Sequence, residues 1–371
     1  MFDDIRPFKN DEVAQVIDAL IRNVELQSML SHFLMPGFNR FAPGISHLLV
    51  RLLLSFKSRK LNSIEAIQKE VARYAYRMLK QSCDGFTYQG LDKLNLNRPT
   101  LFISNHRDIA LDPALVNIAL FEAGANTAEI AIGSNLMSKD WIADLMRLNK
   151  CFIVKRGQVG KRAIFNASKE LSEYIHHTLT NKQQHIWIAQ REGRAKDGVD
   201  KTNSALISML LLHKPKTLSI REYVEQLNIV PVSIAYEFDP CDKDKANELA
   251  IIETTGSYQK QEHEDIGSIK NGILGYKGRI HIEFGQPVVG DFEDSKALAN
   301  AIDQQIIDNY HLFETNLQAH AQLVGESSSN EDGKSLTSFF YERLKDLDEA
   351  QKRWLLTMYA NPVFAKQNSL G

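Results

Sequence analysis

Seven short apolar runs punctuate the chain after Gly85, at residues 86–89, 100–104, 129–133, 151–155, 185–189, 229–235 and 279–284. Their length and their Ile, Val and Phe content predict buried strands. Between them, residues 113–122, 139–148, 160–179 and 202–212 carry helix-forming sequence, and strands that alternate with helices build an α/β sheet. The expected fold is α/β, a mixed, largely parallel central sheet flanked by helices, with helical extensions at both ends.

Three segments follow from this pattern: a helical N-terminal region at 1–85, an α/β domain at 86–290 and a helical C-terminal region at 291–371. The first region predicts helices over 11–34, over 45–57 and after Asn62-Ser63, the last with Ile67, Val71, Tyr74, Ala75 and Met78 along one stripe. In the middle helix Ile45, Leu48, Leu49, Leu52, Leu53 and Phe56 follow an i, i+3, i+4 repeat, with Arg51, Lys57, Arg59 and Lys60 on or just beyond it. Such a face suits a core-facing bundle helix, and also a helix lying in a membrane surface. The C-terminal region predicts helices over 294–321 and 336–359, joined by a polar linker at 325–334.

Apolar residues make up 43% of the 371 and charged residues 24%, ordinary globular usage that argues against disorder and against an integral membrane bundle. A net charge of −2 offers no global field for nucleic acid, which is not expected as a partner. Cys83, Cys151 and Cys241 are too far apart for a zinc site and odd in number for a disulfide framework, and Met1-Phe2-Asp3-Asp4 does not open a secretory signal. A cytoplasmic protein is expected. No apolar run approaches the roughly 18 to 20 residues needed to span a bilayer, so any membrane contact is peripheral.

Chemistry gathers where strands end. His106 follows the 100–104 run, and Asp112-Pro113 reads as a cap and first residue of the next helix, putting a carboxylate near an imidazole on a connecting turn. A histidine so placed can take a proton from a hydroxyl while the carboxylate fixes its tautomer. Asp108 is the alternative partner, if the chain folds back sharply. Arg156 leaves the 151–155 run just before Gly157, where a guanidinium can fork onto phosphate. The 185–189 run enters a charged turn in which Glu192-Gly193 suggests a bent backbone with the carboxylate turned inward. Arg191, Arg194 and Lys196 supply donors there for one anion. Val230-Pro231 lies in a buried run whose proline suggests an edge, a bulge or a cleft wall.

Taken together and in this order, the four segments resemble the glycerolipid acyltransferase family, which includes glycerol-3-phosphate and lysophosphatidate acyltransferases. Asn105, His106, Asp112 and Pro113 match its first block, Phe152 and Arg156 its second, Glu192, Gly193 and Arg194 its third, and Val230-Pro231 its fourth. The resemblance covers about residues 86–287. Two departures stand out: five residues rather than four separate His106 from Asp112, so the turn must bulge by one, and Arg191 replaces a customary small residue or proline while Arg194 follows Gly193 directly.

The resemblance implies transfer of a fatty acyl group from an acyl-CoA or acyl-ACP thioester to a hydroxyl of lysophosphatidate or glycerol 3-phosphate. It casts His106 and Asp112 as catalytic and Arg156, Arg194, Arg191 and Lys196 as phosphate-binding, with Asn105, Glu192 and Gly193 in support. No metal or cofactor beyond the thioester is expected, and an acyl carrier protein and the inner face of the cytoplasmic membrane are the expected contacts. Backbone N–H groups near the start of the Pro113 helix are candidate oxyanion donors. A non-catalytic lipid- or phosphate-binding module on the same scaffold is the alternative.

Overall fold

The computed structural model describes residues 2–137, 139–261, 264–325 and 338–370. In chain order the elements are α1 (Asn10–Arg22), α2 (Val24–Leu34), α3 (Pro36–Phe41), α4 (Pro43–Ser58), α5 (Ile64–Ser82), β1 (Gly85–Gln89), β2 (Leu101–Ser104), α6 (Leu111–Glu122), β3 (Glu129–Gly133), α7 (Asp140–Leu148), β4 (Cys151–Val154) and α8 (Lys161–Thr180). Then come β5 (Ile186–Ala189), α9 (Ser204–Leu210), α10 (Ile220–Leu227), β6 (Ile229–Tyr236), α11 (Asp242–Thr255), α12 (Glu264–Leu274), β7 (Arg279–Phe284), α13 (Ser295–Asp308), α14 (Glu314–Val324), α15 (Ser338–Leu344) and α16 (Glu349–Leu370).

Two compact units divide the chain. The first comprises residues 1–76 and 129–164, so the segment carrying β3, α7 and β4 groups with the N-terminal helices; the second comprises 77–128 and 165–371. In the first unit β3 and β4 pair in parallel. Val13, Leu20, Leu26, Ile67 and Leu148 form its core, with Trp141 and Leu30 packed against them. The helix expected over 11–34 is two helices, because Asn23 leaves the helical region and its side chain accepts the Leu26 N–H, capping α2.

Periodicity marks α4 correctly as a helix, but a core-facing role does not survive. Ile45, Leu48, Leu49, Leu52, Leu53 and Phe56 are between 41% and 68% exposed, while the buried residues of α4 are Ser46 and Val50. Val24, Leu34 and Phe41 add further exposed apolar surface in the same unit.

The second unit holds five strands in the order β1-β7-β6-β2-β5. Pairings β1–β7, β6–β2 and β2–β5 are parallel and β6–β7 is antiparallel, the mixed, largely parallel sheet that the alternation predicts. β6 is buried along its whole length and lies inside the sheet, so Pro231 marks no edge. It is tolerated because the ladder with β7 spans only Val232 to Tyr236, leaving Pro231, which has no N–H to give, beyond its end.

The expected 294–321 helix breaks between α13 and α14, where Tyr310 and Phe313 turn in to pack with Ala235. Phe340, Leu344, Leu355, Leu356 and Tyr359 from α15 and α16 pack with Phe238 and Ala246. Most of the polar linker expected at 325–334 lies outside the described residues.

Candidate active site

His106 sits on the turn that leaves the C-terminal end of β2, in the second unit. Its Nδ1 lies 2.9 Å from Asp112 Oδ2, the pairing expected from the sequence. That oxygen also accepts the backbone N–H of Arg107 at 2.7 Å and of Asp108 at 2.9 Å, and Oδ1 accepts the Tyr236 hydroxyl at 2.8 Å. Four donors therefore hold a carboxylate that is wholly buried. A carboxylate accepting from Nδ1–H leaves Nε2 with its lone pair, the form a general base requires. The rings of Trp187 and His106 pack edge to face, centroids 6.1 Å apart.

Asp112 does not cap the helix, as its place before Pro113 suggested. α6 begins at Leu111, which puts Asp112 inside the first turn and Pro113 third, where a missing N–H still costs no helical bond. Asp108 receives the entering N–H groups instead: its Oδ1 accepts from Ala110 at 2.9 Å and Leu111 at 2.8 Å. Burial, with Asp112 nearby, raises its carboxyl above the ordinary value. The same arrangement takes the N–H groups of Arg107, Asp108, Ala110 and Leu111 out of the expected set of oxyanion donors, because these two carboxylates engage them.

Asn105 extends the β2–β6 pairing through its side chain. Its Oδ1 accepts the Ile234 N–H at 2.8 Å, and its Nδ2 donates to the Ile234 carbonyl at 3.0 Å and to Asp200 at 3.1 Å. Arg107 donates to Asp200 Oδ2 at 2.6 Å and to the Gly198 carbonyl at 3.3 Å. Its guanidinium stacks over Tyr310, and Asp200 keeps it protonated against burial. Ala195 N–H donates to the His106 carbonyl at 2.8 Å, so the charged turn after β5 is bonded directly to the histidine turn.

Within that charged turn Gly193 has φ +75°, the bent backbone expected, but Glu192 is exposed rather than turned inward. Arg194 is buried: its Nη2 donates to Ser268 at 3.2 Å, and its Nη1 is buried without a hydrogen-bond partner. Lys196 pairs with Glu248. Arg191 is half-buried, with no hydrogen bond or ion pair among the described residues. Arg156 belongs to the first unit, where it follows β4 and its N–H donates to Ser134 Oγ at 2.9 Å.

Residues 85–235, the stretch holding His106, Asp112, Arg194 and Pro231, match the sequence profile of a family described as Acyltransferase. The chain carries an acyltransferase domain. No curated protein matches it. Among solved structures it is similar to the 1-acyl-sn-glycerophosphate (LPA) acyltransferase PlsC from Thermotoga maritima, at 14% identity and a TM-score of 0.38, over 76% of this chain and 95% of that one.

Sequence reading missed Asp200 within the matched stretch and Tyr236, Asp239 and Lys245 beyond its end. Tyr236 had a signal, since it directly follows the apolar run carrying Val230-Pro231, and β6, which pairs with β2 through Val232, runs on past the end of β2 to Tyr236. Lys245 had none, standing among acidic and basic residues that read as a solvated face.

Proposed function

We propose that this protein transfers a fatty acyl group from a thioester of coenzyme A or acyl carrier protein to a hydroxyl of a phosphate-bearing glycerolipid, lysophosphatidate or glycerol 3-phosphate. The observation that carries the reading is His106 Nδ1 held 2.9 Å from a buried, fourfold-engaged Asp112 within an acyltransferase domain. An alcohol scarcely ionises at neutral pH, so the barrier falls when Nε2 takes the hydroxyl proton as the oxygen attacks the thioester carbonyl, an effect worth roughly 10²- to 10⁴-fold. The tetrahedral intermediate then collapses, the C–S bond breaks, and the imidazolium returns its proton to the departing thiolate.

For the acceptor's phosphate, Arg191 is the readiest of the three cations after β5, because Lys196 is paired with Glu248 and Arg194 is turned towards Ser268. The unpartnered Nη1 keeps Arg194 a candidate, and Arg156 remains one through the family resemblance.

The exposed face of α4, with Arg51, Lys57, Arg59 and Lys60 beside it, supports peripheral attachment to an anionic inner membrane surface. Among the described residues no helix is long and apolar enough to cross a membrane.

The test is mass spectrometry of products from purified protein offered both donors and a panel of acceptors. Acyl chains on a phosphate-bearing lyso-lipid or on glycerol 3-phosphate are expected. Free fatty acid alone, or an unchanged donor, contradicts the reading.

A further inference from the structure

Lys245 lies on α11, outside residues 85–235, and its side chain is 1% exposed. Its ammonium pairs with Asp239 and donates to the backbone carbonyl of Arg107 at 2.7 Å. That carbonyl belongs to the peptide group whose other end is the Asp108 N–H, which donates to Asp112 Oδ2 at 2.9 Å. The same oxygen receives His106 Nδ1. A peptide group is planar, so one rigid plate joins Lys245 to the carboxylate that orients the imidazole, and rotating the plate breaks the bonds at both ends.

Asp239 is fixed in turn. Its Oδ1 accepts the Cys241 N–H at 2.9 Å, and its own N–H donates to the Tyr359 hydroxyl at 2.8 Å. Tyr359, from α16, donates onward to Asp242 at 2.9 Å. Burial works against the charge on Asp239, and Lys245 beside it nevertheless keeps that carboxyl below its ordinary value. Burying a cation is unfavourable unless geometry compensates, so the buried pair is weak evidence for stability.

We propose that Lys245 is a positioning residue for the general base, setting the Arg107–Asp108 peptide so that Asp112 holds the His106 ring in its reacting orientation. The proposal rests on the general-base reading of His106.

Lys245→Met alone strands Asp239 as a buried unpaired charge and can unfold the protein for that reason. The test therefore pairs Lys245→Met with Asp239→Asn, which removes both charges while leaving the Arg107 carbonyl without its donor. In proton NMR the His106 Nδ1 proton, assigned by its loss in His106→Ala, is expected downfield in the wild type and broadened or shifted upfield in the double variant. With it, kcat for acyl transfer falls about 10²-fold while KM for both substrates stays within about two-fold. A folded double variant with unchanged resonance and unchanged kcat overturns the proposal. Hydrogen exchange of the Asp108 amide reads the same plate without turnover: exchange as slow as in β2 is expected in the wild type and at least about ten-fold faster exchange in the double variant, and equally slow exchange in both overturns the proposal. A wild-type protein that transfers no acyl group would refute the proposed function, while the NMR and exchange results still judge the positioning.

Discussion

Two carboxylates four residues apart divide the work of the histidine turn. Asp108 receives the Ala110 and Leu111 N–H groups at the entry to α6, whereas Asp112 faces His106. Asparagine caps a helix as well as aspartate does, so Asp108→Asn is expected to leave kcat within about three-fold. Asp112→Asn presents an amide where three donors converge and releases the imidazole tautomer, and kcat is expected to fall by about 10²- to 10⁴-fold. Steady-state kinetics on the two variants check this, and the reverse order would reassign the pair. The contact between His106 and Asp112 was within reach of the sequence because the helix start confined both acids to a few positions. The sequence could not reach Asp200 or Lys245, which meet Arg107 across 93 and 138 residues and carry no local signal of that contact.

Elements were legible where a period was strong. All seven strands stand within a residue of their expected bounds, since short apolar runs beside turn residues leave little freedom. α10, α11 and α12 were not foreseen. In α11 the buried positions include Asp242, Lys245 and Glu248, polar residues that erase the apolar stripe by which a packed helix is recognised. α4 presents the opposite case: its stripe is plain, but periodicity says which face is apolar and not what that face meets. Burying one leucine contributes about 1.5–3 kcal/mol. Leu49→Glu with Leu52→Glu is therefore expected to abolish co-flotation with anionic liposomes while the circular dichroism spectrum is retained. Flotation equal to wild type would take α4 out of membrane attachment.

At the scale of the molecule, the C-terminal helices brace the second unit. Asn361 donates to the Asp197 carbonyl at 2.7 Å, and Gly198, at φ +78°, lies so close to α16 that a Cβ would collide with the Met358 carbonyl. Gly198→Ala is expected to destabilise the protein by about 2 kcal/mol or more, read as a lower denaturant midpoint. Asp242, beneath Tyr359 and Arg343, has its carboxyl pushed by burial from 3.8 to about 6 despite the nearby Arg343. The folded protein thus holds this proton more tightly than the unfolded chain does. Its contribution to stability is complete below pH 3.8 and is lost as pH rises through about 6. The wild-type Tm is therefore expected to fall more steeply between pH 5 and pH 7 than that of Asp242→Asn, and equal slopes would refute the assignment. The central claim concerns one imidazole, and the most direct test is the rate of acyl transfer from a thioester to lysophosphatidate by His106→Ala. The account predicts a folded protein whose turnover is lost to within background, and a variant that keeps wild-type turnover would contradict it.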